Sequence, residues 1–455
     1  MLPAGLRCAL PGRGCASDYA AKLLQSLGAV PLRLNDREDD HPALRWASSG
    51  LMALTGHADG PPLMCPVPIA SRADGALMAL QALAPAGAFK GLRGADLLGE
   101  RAALAGLRRA GRTSAGGACK LLVAADGEFA LSLARADDWA LMPALLEVNS
   151  AADWASVAAA ARAVPLTELL ERGALLGLAI APVQALRTDA PQWFSFVQHS
   201  LQSIALSHRP LVLDLSALWA GPLCSQLLQA LGARVIKVES VTRPDGARAG
   251  NRAFFDLLNA GKECIALDLG SAEGLRTLRQ LIARADIVIE ASRPRALRQL
   301  GVVAEELLAA HPGLTWLALS GYGRDTANEQ RIAYGDDAAV AAGLSDLMQV
   351  ATGEAVFVGD AIADPLSGLH AALAAWGSYL GGGGRLISIS LLDVVHHLAA
   401  FDSPGSTAQL RQRQQVWTAM ASPALPPATR TASAAAHALG ADTASVVAEL
   451  DPGPG

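Results

Sequence analysis

Short apolar runs alternate with helical stretches through the second half of the chain, and this alternation restricts the folds open to it. The runs lie at residues 211–215, 235–238, 265–269, 287–290, 314–320, 356–358 and 386–390. Helical patterns separate several of them, most clearly at 272–283 and 365–380. The pattern predicts an α/β fold with an open, doubly wound parallel sheet of Rossmann-like type. In such a sheet the ligand crevice lies outside the carboxyl ends of the strands.

Two matched segments indicate that the chain contains an internal repeat. Residues 20–29 align with residues 224–233 at a constant offset of 204. Residues 50–75 align in part with residues 343–368, at a constant offset of 293. Because two ordered matches are harder to obtain by chance than one, we predict a duplicated fold. The offsets differ by 89, so the first copy lacks a block of 89 residues that the second copy keeps.

Composition excludes several classes of protein. The chain has 455 residues, of which 51% are hydrophobic and 17% charged, enough for large buried cores. Its net charge of -5 offers no basic surface for nucleic acid, so no nucleic-acid partner is expected. Six cysteines without C-x-x-C spacing are typical of reduced thiols. The apolar run 173–183 is too short to cross a bilayer and residues 1–15 lack a signal-peptide core, which predicts a cytoplasmic protein without membrane contact.

The stretch most suggestive of chemistry lies at 358–370, where an apolar run ends in Gly359-Asp360 and a helix is predicted from Pro365. Asp360 is expected at the carboxyl edge of the sheet, near a helix N-terminus that stabilises a carboxylate. Gly359 would permit close approach of a substrate. Asp364 is interpreted as the cap of the helix. From the residues alone, Asp360 is equally well explained as a loop carboxylate or a second cap.

Other motifs are absent or weak. The turn after residues 211–215 contains Trp219 and one glycine, so it lacks the glycine fingerprint of a dinucleotide site. Walker A, H-E-x-x-H and G-x-S-x-G motifs do not occur. The glycine run 381–384 is interpreted as a loop between a helix and a strand. His396 and His397 are interpreted as core or solvated histidines, and no metal site is predicted.

Several segments stand in a recognisable order, at residues 219–222, 231–239, 258–262, 285–290, 293–294, 320–323 and 359–370. Together they resemble the class III coenzyme A (CoA) transferases, the CaiB/BaiF family. The resemblance implies four parts: a degenerate first copy of the large domain (1–117), a smaller α+β segment (118–200), the large domain with the active site (209–400), and a C-terminal connector and tail (401–455). The tail is expected to be extended and to end in one short helix near residues 441–450.

The resemblance also implies a role for each matching site residue. In that family the aspartate of the Gly-Asp pair, here Asp360, attacks an acyl-CoA to form a mixed anhydride. CoA thiolate then forms an aspartyl-CoA thioester, from which an acceptor acid takes the CoA. The matching CoA-binding positions are Leu258, Lys262, Arg293, Ala296, Tyr334 and Gly359. CoA and acyl-CoA are then substrates, and no tightly bound cofactor is expected. Ser240 departs from the basic residue of some transferases.

Two alternatives stay open at this point. The same family includes acyl-CoA racemases, whose histidine partner would fall at Tyr334, and a degenerate duplicate is also compatible with a noncatalytic CoA-binding protein. In the first copy the position that corresponds to Asp360 is Val67, which predicts one catalytic site per chain, closed over by a structural first copy. Because members of that family form interlocked dimers, we expect either a homodimer or an intrachain pseudo-dimer.

Overall fold

Three β-sheets organise the part of the chain that the structure describes. The computed structural model describes residues 1–187, 189, 191–198, 209–291, 294–324, 330–401, 404–421 and 424–450. Within these residues, sheets of two, three and seven strands follow one another along the sequence. The α/β class predicted from the sequence is confirmed, with a large and mostly parallel sheet.

The first 117 residues begin with a parallel βαβ unit. Their elements are β1 (Arg7–Leu10), α1 (Cys15–Ser26), β2 (Val30–Arg33), α2 (Pro42–Ser48), α3 (Ile69–Gln81) and α4 (Glu100–Ala105), with short 3-10 helices at Leu51–Leu54 and Gly94–Gly99. Apolar residues recur along α1 at helical spacing, which buries Tyr19 and Leu23 on one face. This face joins the same hydrophobic core as Leu369 and Trp376 from the second half of the chain. The N-terminal part is therefore packed against the large sheet rather than standing apart from it.

A small antiparallel unit follows. Its elements are β3 (Cys119–Val123), β4 (Glu128–Ser132), α5 (Ala136–Ala140), α6 (Met142–Leu146), α7 (Trp154–Ala161), α8 (Leu166–Leu176) and β5 (Ala179–Pro182). The strands run in the order β3-β4-β5, and the four helices connect β4 with β5. Phe129, Met142 and Leu169 are fully buried in a core of this unit's own. The unit is therefore a compact α+β module.

The large sheet dominates the second half. Its elements are β6 (Ser195–Gln198), β7 (Leu211–Leu215), α9 (Ala220–Ala230), β8 (Arg234–Ser240), α10 (Arg252–Asn259), β9 (Glu263–Leu267), α11 (Ala272–Arg284), β10 (Ile287–Glu290), α12 (Pro294–Gln299), α13 (Ala304–Ala310), β11 (Thr315–Ser320), α14 (Gly335–Ala341), α15 (Leu344–Thr352), α16 (Ala363–Leu380), β12 (Arg385–Ser390) and α17 (Leu391–Ala400). The strand order is β6-β12-β11-β10-β7-β8-β9, parallel except where β6 meets β12. Val212 and Leu213 enter two different cores, so both faces of the sheet are buried. None of the described helices combines the length and apolarity that crossing a bilayer requires.

The strand predicted at residues 356–358 is wrong. This segment lies outside the sheet, although it is buried and apolar. The backbone N–H of Phe357 donates to the carbonyl oxygen of Gly111 across 3.0 Å. Its side chain packs with Leu121 and Ala130 of the antiparallel unit. The apolar run therefore reflects contact between two units of the chain rather than a place in the parallel sheet.

The tail contains a helix that its composition did not suggest. α18 (Thr407–Met420) precedes α19 (Thr443–Ala448), so the prediction of an extended connector with one short helix is wrong for residues 407–420. The hydroxyl of Ser406 caps α18, and Leu410 and Trp417 bury one side of it in the main core. Beyond α18 the chain has no regular secondary structure over 424–432 and passes over the N-terminal part.

Two helix crossings match at the positions aligned by the repeat. A Cβ atom on Gly75 of α3 would lie 2.5 Å from the carbonyl oxygen of Ala16 in α1. A Cβ atom on Gly368 of α16 would lie 2.7 Å from the carbonyl oxygen of Ala220 in α9. Both crossings therefore require glycine, because a side chain would overlap the backbone of the neighbouring helix. The duplication stays a prediction, and this shared crossing supports it.

Candidate active site

Asp360 stands in a tight turn directly before α16. Gly359 has φ of 73° and Ala361 has φ of 41°, so the backbone on both sides of Asp360 is left-handed, which is strained for an alanine. The N–H of Gly359 donates to Oγ1 of Thr55 across 3.1 Å, and the N–H of Ala361 donates to Oδ1 of Asp336 across 2.8 Å. These two bonds hold the turn from opposite sides and fix the direction of the Asp360 side chain.

The Asp360 carboxylate is fully buried and forms a bidentate ion pair with Arg101. Nε of Arg101 lies 2.8 Å from Oδ2, and Nη2 donates to Oδ1. Arg101 belongs to α4, so the partner of Asp360 comes from the N-terminal part of the chain. Bidentate guanidinium–carboxylate pairs are among the stronger hydrogen-bonded contacts in proteins. The pair therefore joins the two parts of the chain at the candidate site.

Two further carboxyl groups surround the same guanidinium. Burial raises the pKa of Asp336 to about 6, and the adjacent charge of Asp360 adds to the effect. Burial also raises the pKa of Asp364 to about 7, although Arg101 opposes this shift. Burial opposes the charge of Arg101, but Asp360, Asp336 and Asp364 together raise its pKa above the ordinary value. The site thus combines one fixed cation with acids that titrate near neutral pH.

A second ion pair anchors the helix that carries Arg101. Glu100, the neighbouring residue in α4, is fully buried, and its Oε1 accepts from Nε of Arg430 across 2.6 Å. Nη1 of Arg430 also donates to Oε1 of Gln226 in α9 across 2.9 Å. On its other side, the guanidinium of Arg101 lies 5.5 Å from the ring centre of Trp219, a cation–π contact. Tail, N-terminal part and large sheet therefore meet around α4.

A cavity of about 420 Å³ lies where β11 and β12 end. Its walls include Phe194, Phe196, Tyr322, Arg324 and Ser390. Arg324 pairs with Glu290 at the end of β10, and burial raises the pKa of Glu290 to about 7. This is the carboxyl edge of the parallel sheet, where open α/β folds bind their ligands.

Sequence comparison decides the family. The model of CoA-transferase family III matches residues 210–442, about half of the chain. The chain belongs to CoA-transferase family III. Asp360 lies inside the matched region, whereas Arg101 and Thr55 precede it.

Individual relatives of family III match a smaller part of the chain. The succinyl-CoA–D-citramalate CoA-transferase of Chloroflexus aurantiacus is 30% identical over 195 residues, which cover 40% of this chain and 48% of that protein. The succinate–glutarate CoA-transferase of Agrobacterium fabrum is 30% identical over 206 residues, or 40% of this chain and 50% of that protein. A crystal structure of a CaiB/BaiF family protein from Brucella suis is 29% identical and covers 45% of this chain and 60% of that chain, with a TM-score of 0.38. The chain spans about half the length of the curated relatives it matches.

The prediction that the Lys262 side chain meets CoA needs correction. Its ammonium group is fully buried and lies 3.1 Å from Oδ2 of Asp214. It also donates to Ser225 Oγ across 2.7 Å, to Asn259 Oδ1 across 3.0 Å and to the carbonyl oxygen of Pro222 across 3.0 Å. Burial lowers the pKa of Lys262, and Asp214 opposes that shift. Because four acceptors already surround Nζ, Lys262 belongs to the interior ion pairs of the family III sheet rather than to a phosphate site.

The other predicted CoA residues have different surroundings. Leu258 is fully buried in α10, and Ala296 is half-buried in α12. Arg293 lies outside the described residues. Tyr334 is the N-cap residue of α14, and its backbone N–H donates to Oδ1 of Asp337. The next residue, Gly335, lies so close to Ala361 that a Cβ there would overlap the carbonyl oxygen of Ala361. The structure therefore brings Tyr334 and Gly359 to the turn of Asp360. The CoA contacts of these two residues stay predictions, as do those of Leu258, Ala296 and Arg293.

Sequence reasoning missed the residues that complete the Asp360 site. Arg101 and Thr55 lie in the N-terminal part, which was interpreted as structural, and neither stands in a recognisable motif. Asp336 had a weak signal, since two adjacent acids precede an apolar helix there. Asp364 was interpreted as a helix cap, but α16 begins at Ala363 and Asp364 lies in its first turn. These groups become visible as a cluster once the chain is folded.

Proposed function

We propose that this protein transfers CoA from an acyl-CoA donor to a carboxylic acid, with Asp360 as the nucleophile. The observation that carries the proposal is the buried Asp360 carboxylate, held in a strained turn within the family III region and paired with Arg101. The relatives described above are named as CoA-transferases of dicarboxylic acids, which supports the same class of reaction.

The first half-reaction moves CoA from the donor to the enzyme. An Oδ atom of Asp360 attacks the carbonyl carbon of the acyl-CoA, the C–S bond breaks, and CoA leaves as a thiolate while a mixed anhydride forms. The thiolate then attacks the side-chain carbonyl carbon of Asp360. The anhydride C–O bond breaks, the donor acid leaves as a carboxylate, and an aspartyl-CoA thioester remains.

The second half-reaction passes CoA to the acceptor. The acceptor carboxylate attacks the aspartyl thioester, which releases CoA thiolate and forms a second mixed anhydride. The thiolate attacks the acceptor's carbonyl carbon, so that acceptor-CoA leaves and the Asp360 carboxylate is restored. Each step exchanges one thiolate for one carboxylate, so the whole reaction needs no net proton transfer and no change of oxidation state.

CoA is proposed to lie along the carboxyl edge of the large sheet. The cavity bounded by Phe194, Tyr322 and Arg324 supports this placement, since it combines apolar walls with a guanidinium. Arg298, which lines that cavity, lies on α12 together with Ala296. The positive φ of Gly359 favours glycine there and forms the turn that presents Asp360.

The racemase alternative has weaker support. An acyl-CoA racemase needs two groups that exchange a proton at the α-carbon, and the family's histidine position is occupied by Tyr334. Burial raises the pKa of Tyr334, so its phenol stays protonated at neutral pH and is not available to accept the α-proton. The noncatalytic alternative predicts CoA binding without a covalent intermediate, and the following experiment separates it from transfer.

The test is to mix the protein with a panel of acyl-CoAs and follow its mass, with and without free carboxylic acids. We expect an aspartyl-CoA adduct that hydroxylamine removes, and acyl-CoA formation from one or more acids. Asp360→Ala should lose both and keep its circular dichroism spectrum. Glu354→Gln is the matched control, because Glu354 is an exposed acid of the same segment that pairs with His57 across 2.6 Å. Full transfer by Asp360→Ala, or CoA binding with no adduct in the native protein, would reject the proposal.

A further inference from the structure

The guanidinium of Arg101 covers the proposed nucleophile. It engages both oxygens of Asp360, which is fully buried, whereas 32% of the Arg101 side chain is exposed. A substrate that reaches Asp360 therefore has to displace this guanidinium. An arginine offers its donors in a rigid planar fork that fits a carboxylate, and its charge persists at every physiological pH.

The side chain of Arg101, rather than its helix, is the part free to respond. Glu100 is tied to Arg430, and Gly99 packs so closely on Pro427 that a Cβ there would lie 2.8 Å from the proline Cβ. Both contacts hold the start of α4 in place. Trp219 offers the guanidinium a ring face that it can keep while it leaves Asp360.

We propose that Arg101 exchanges its bidentate contact between Asp360 and the carboxylate of the acid substrate, and so selects carboxylates as CoA acceptors. The inference rests on the proposed function and adds a substrate-binding residue to it. It assigns that residue to the N-terminal part of the chain, which lies before the family III region.

Charge changes at Asp360 supply the reason for the exchange. Conversion of Asp360 to the aspartyl-CoA thioester removes its negative charge, so Arg101 loses its partner in a partly buried site. An unpaired charge in such a place is costly. The acceptor carboxylate arrives at this stage of the cycle and supplies two oxygens to the vacated fork. When acceptor-CoA leaves, the restored Asp360 carboxylate regains the guanidinium.

The neighbouring acids do not readily take the place of the substrate. Oδ1 of Asp336 accepts the N–H of Ala361, and the Asp364 carboxyl accepts the N–H of Gly335. Both are thus engaged with the backbone of the turn and of α14, and their positions are fixed. A diffusible carboxylate can adopt the planar bidentate geometry that these side chains do not adopt toward Arg101 in the structure.

The exchange is tested by comparing a charged and a neutral nucleophile on the same intermediate. Arg101→Gln and Arg101→Lys are mixed with the acyl-CoA that labels the native protein, and the adduct is then challenged with succinate or with hydroxylamine. For Arg101→Gln we expect the adduct still to form and hydroxylamine still to cleave it, whereas the KM for succinate rises about 10- to 100-fold with a smaller change in kcat. Arg101→Lys should fall between, because it keeps the charge and loses the fork.

Arg93→Gln is the matched control, because Arg93 lies in the same part of the chain and pairs with Asp96 at the surface across 3.4 Å. Arg93→Gln should leave adduct formation, cleavage by hydroxylamine and reaction with succinate unchanged. A succinate KM within twofold of native in folded Arg101→Gln would overturn the exchange, as would loss of the adduct in that folded variant. If Arg101→Gln fails to fold by circular dichroism, the Lys variant decides by the same criteria. Absence of an adduct in the native protein would instead reject the proposed function itself.

Discussion

Arg101 and Asp360 are 259 residues apart in the sequence, yet they form one bidentate ion pair, with Nε 2.8 Å from Oδ2. The aspartate lies inside the family III region and the arginine lies before it. The family relationship therefore accounts for one side of the candidate site, and the N-terminal part of the chain supplies the other. A variant of Asp360 is expected to lose the covalent adduct, whereas a variant of Arg101 is expected to bind the acceptor acid less tightly.

Covalent labelling should mark one position per chain. In the predicted repeat, Val67 aligns with Asp360, and its buried apolar side chain has no group that an acyl donor could modify. A slowly turned-over acyl-CoA should therefore add one equivalent, which peptide mapping places on Asp360. Two equivalents, or a label before residue 200, would show that the first copy is catalytic.

Stability should depend on pH through Asp364. Its pKa is about 7 in the folded protein and 3.8 as an unperturbed group, so the folded state binds more protons between these values. The contribution of Asp364 to the free energy of unfolding therefore falls as pH rises from about 4 to about 7. Asp364→Asn should remove this loss and gain about 1 to 3 kcal/mol relative to native at pH 8, since each pKa unit corresponds to about 1.4 kcal/mol and water partly screens the half-buried group.

Urea unfolding of both proteins at pH 5 and pH 8 measures this difference. At about pH 3, below both pKa values, the Asp364 carboxyl is protonated in the folded and the unfolded state, so the two proteins should have closely similar free energies of unfolding. An Asn variant whose advantage does not grow with pH would contradict the assignment of Asp364 as a group that the fold keeps protonated.

Removal of the Thr55 hydroxyl should slow the proposed reaction. Thr55→Val leaves the buried N–H of Gly359 without its acceptor, and an unsatisfied buried donor costs about 1 to 3 kcal/mol. Because that bond holds the turn of Asp360, we expect adduct formation to slow about 10-fold, equivalent to about 1.4 kcal/mol in the barrier. Thr55→Ser keeps the acceptor and should stay within about threefold of native. Equal rates for Val and Ser would show that the bond does not position Asp360.

Loss of Arg430 should destabilise the protein far more than a surface arginine would. Arg430→Met leaves the fully buried Glu100 without a counter-ion, which is expected to cost about 3 to 5 kcal/mol. The double variant Glu100→Gln/Arg430→Met should recover part of that loss, because no charge is then left unpaired. A double-mutant cycle from urea unfolding measures the coupling. Independent, additive effects of the two changes would contradict the pair.

Local patterns in the sequence predicted the parallel sheet well. β7, β8, β10, β11 and β12 lie where short apolar runs stand between helical stretches, because a strand buried on both faces needs such a run. The same rule failed at residues 356–358, where burial comes from the antiparallel unit instead of from a sheet. A buried segment is apolar whether a sheet or another unit of the chain covers it, so the apolar run alone does not identify a strand.

The candidate site was predictable only in part. Asp360 stands in a motif, and a glycine before an acid at the start of a helix is a local signal. Arg101 has no such signal, since its role depends on a contact across 259 residues. Lys262 shows the reverse error: the family resemblance implied a contact with CoA, but the ammonium group of Lys262 pairs in the interior with Asp214, 48 residues earlier. Pairs between side chains that are distant in sequence depend on how the chain packs. The spacing of residues along the sequence does not reveal that packing.

The ion pair between Glu100 and Arg430 joins two residues that are synthesised at well-separated times. The two residues are 330 positions apart, so at about 5 to 20 residues per second α4 emerges roughly 15 to 65 s before its anchor exists. Within that interval the chain gains the strands of the large sheet and Asp360, but Glu100 in the helix that carries Arg101 still lacks its counter-ion. A chain that ends before residue 430 would therefore contain both Asp360 and Arg101 but lack the ion pair that anchors the helix of Arg101.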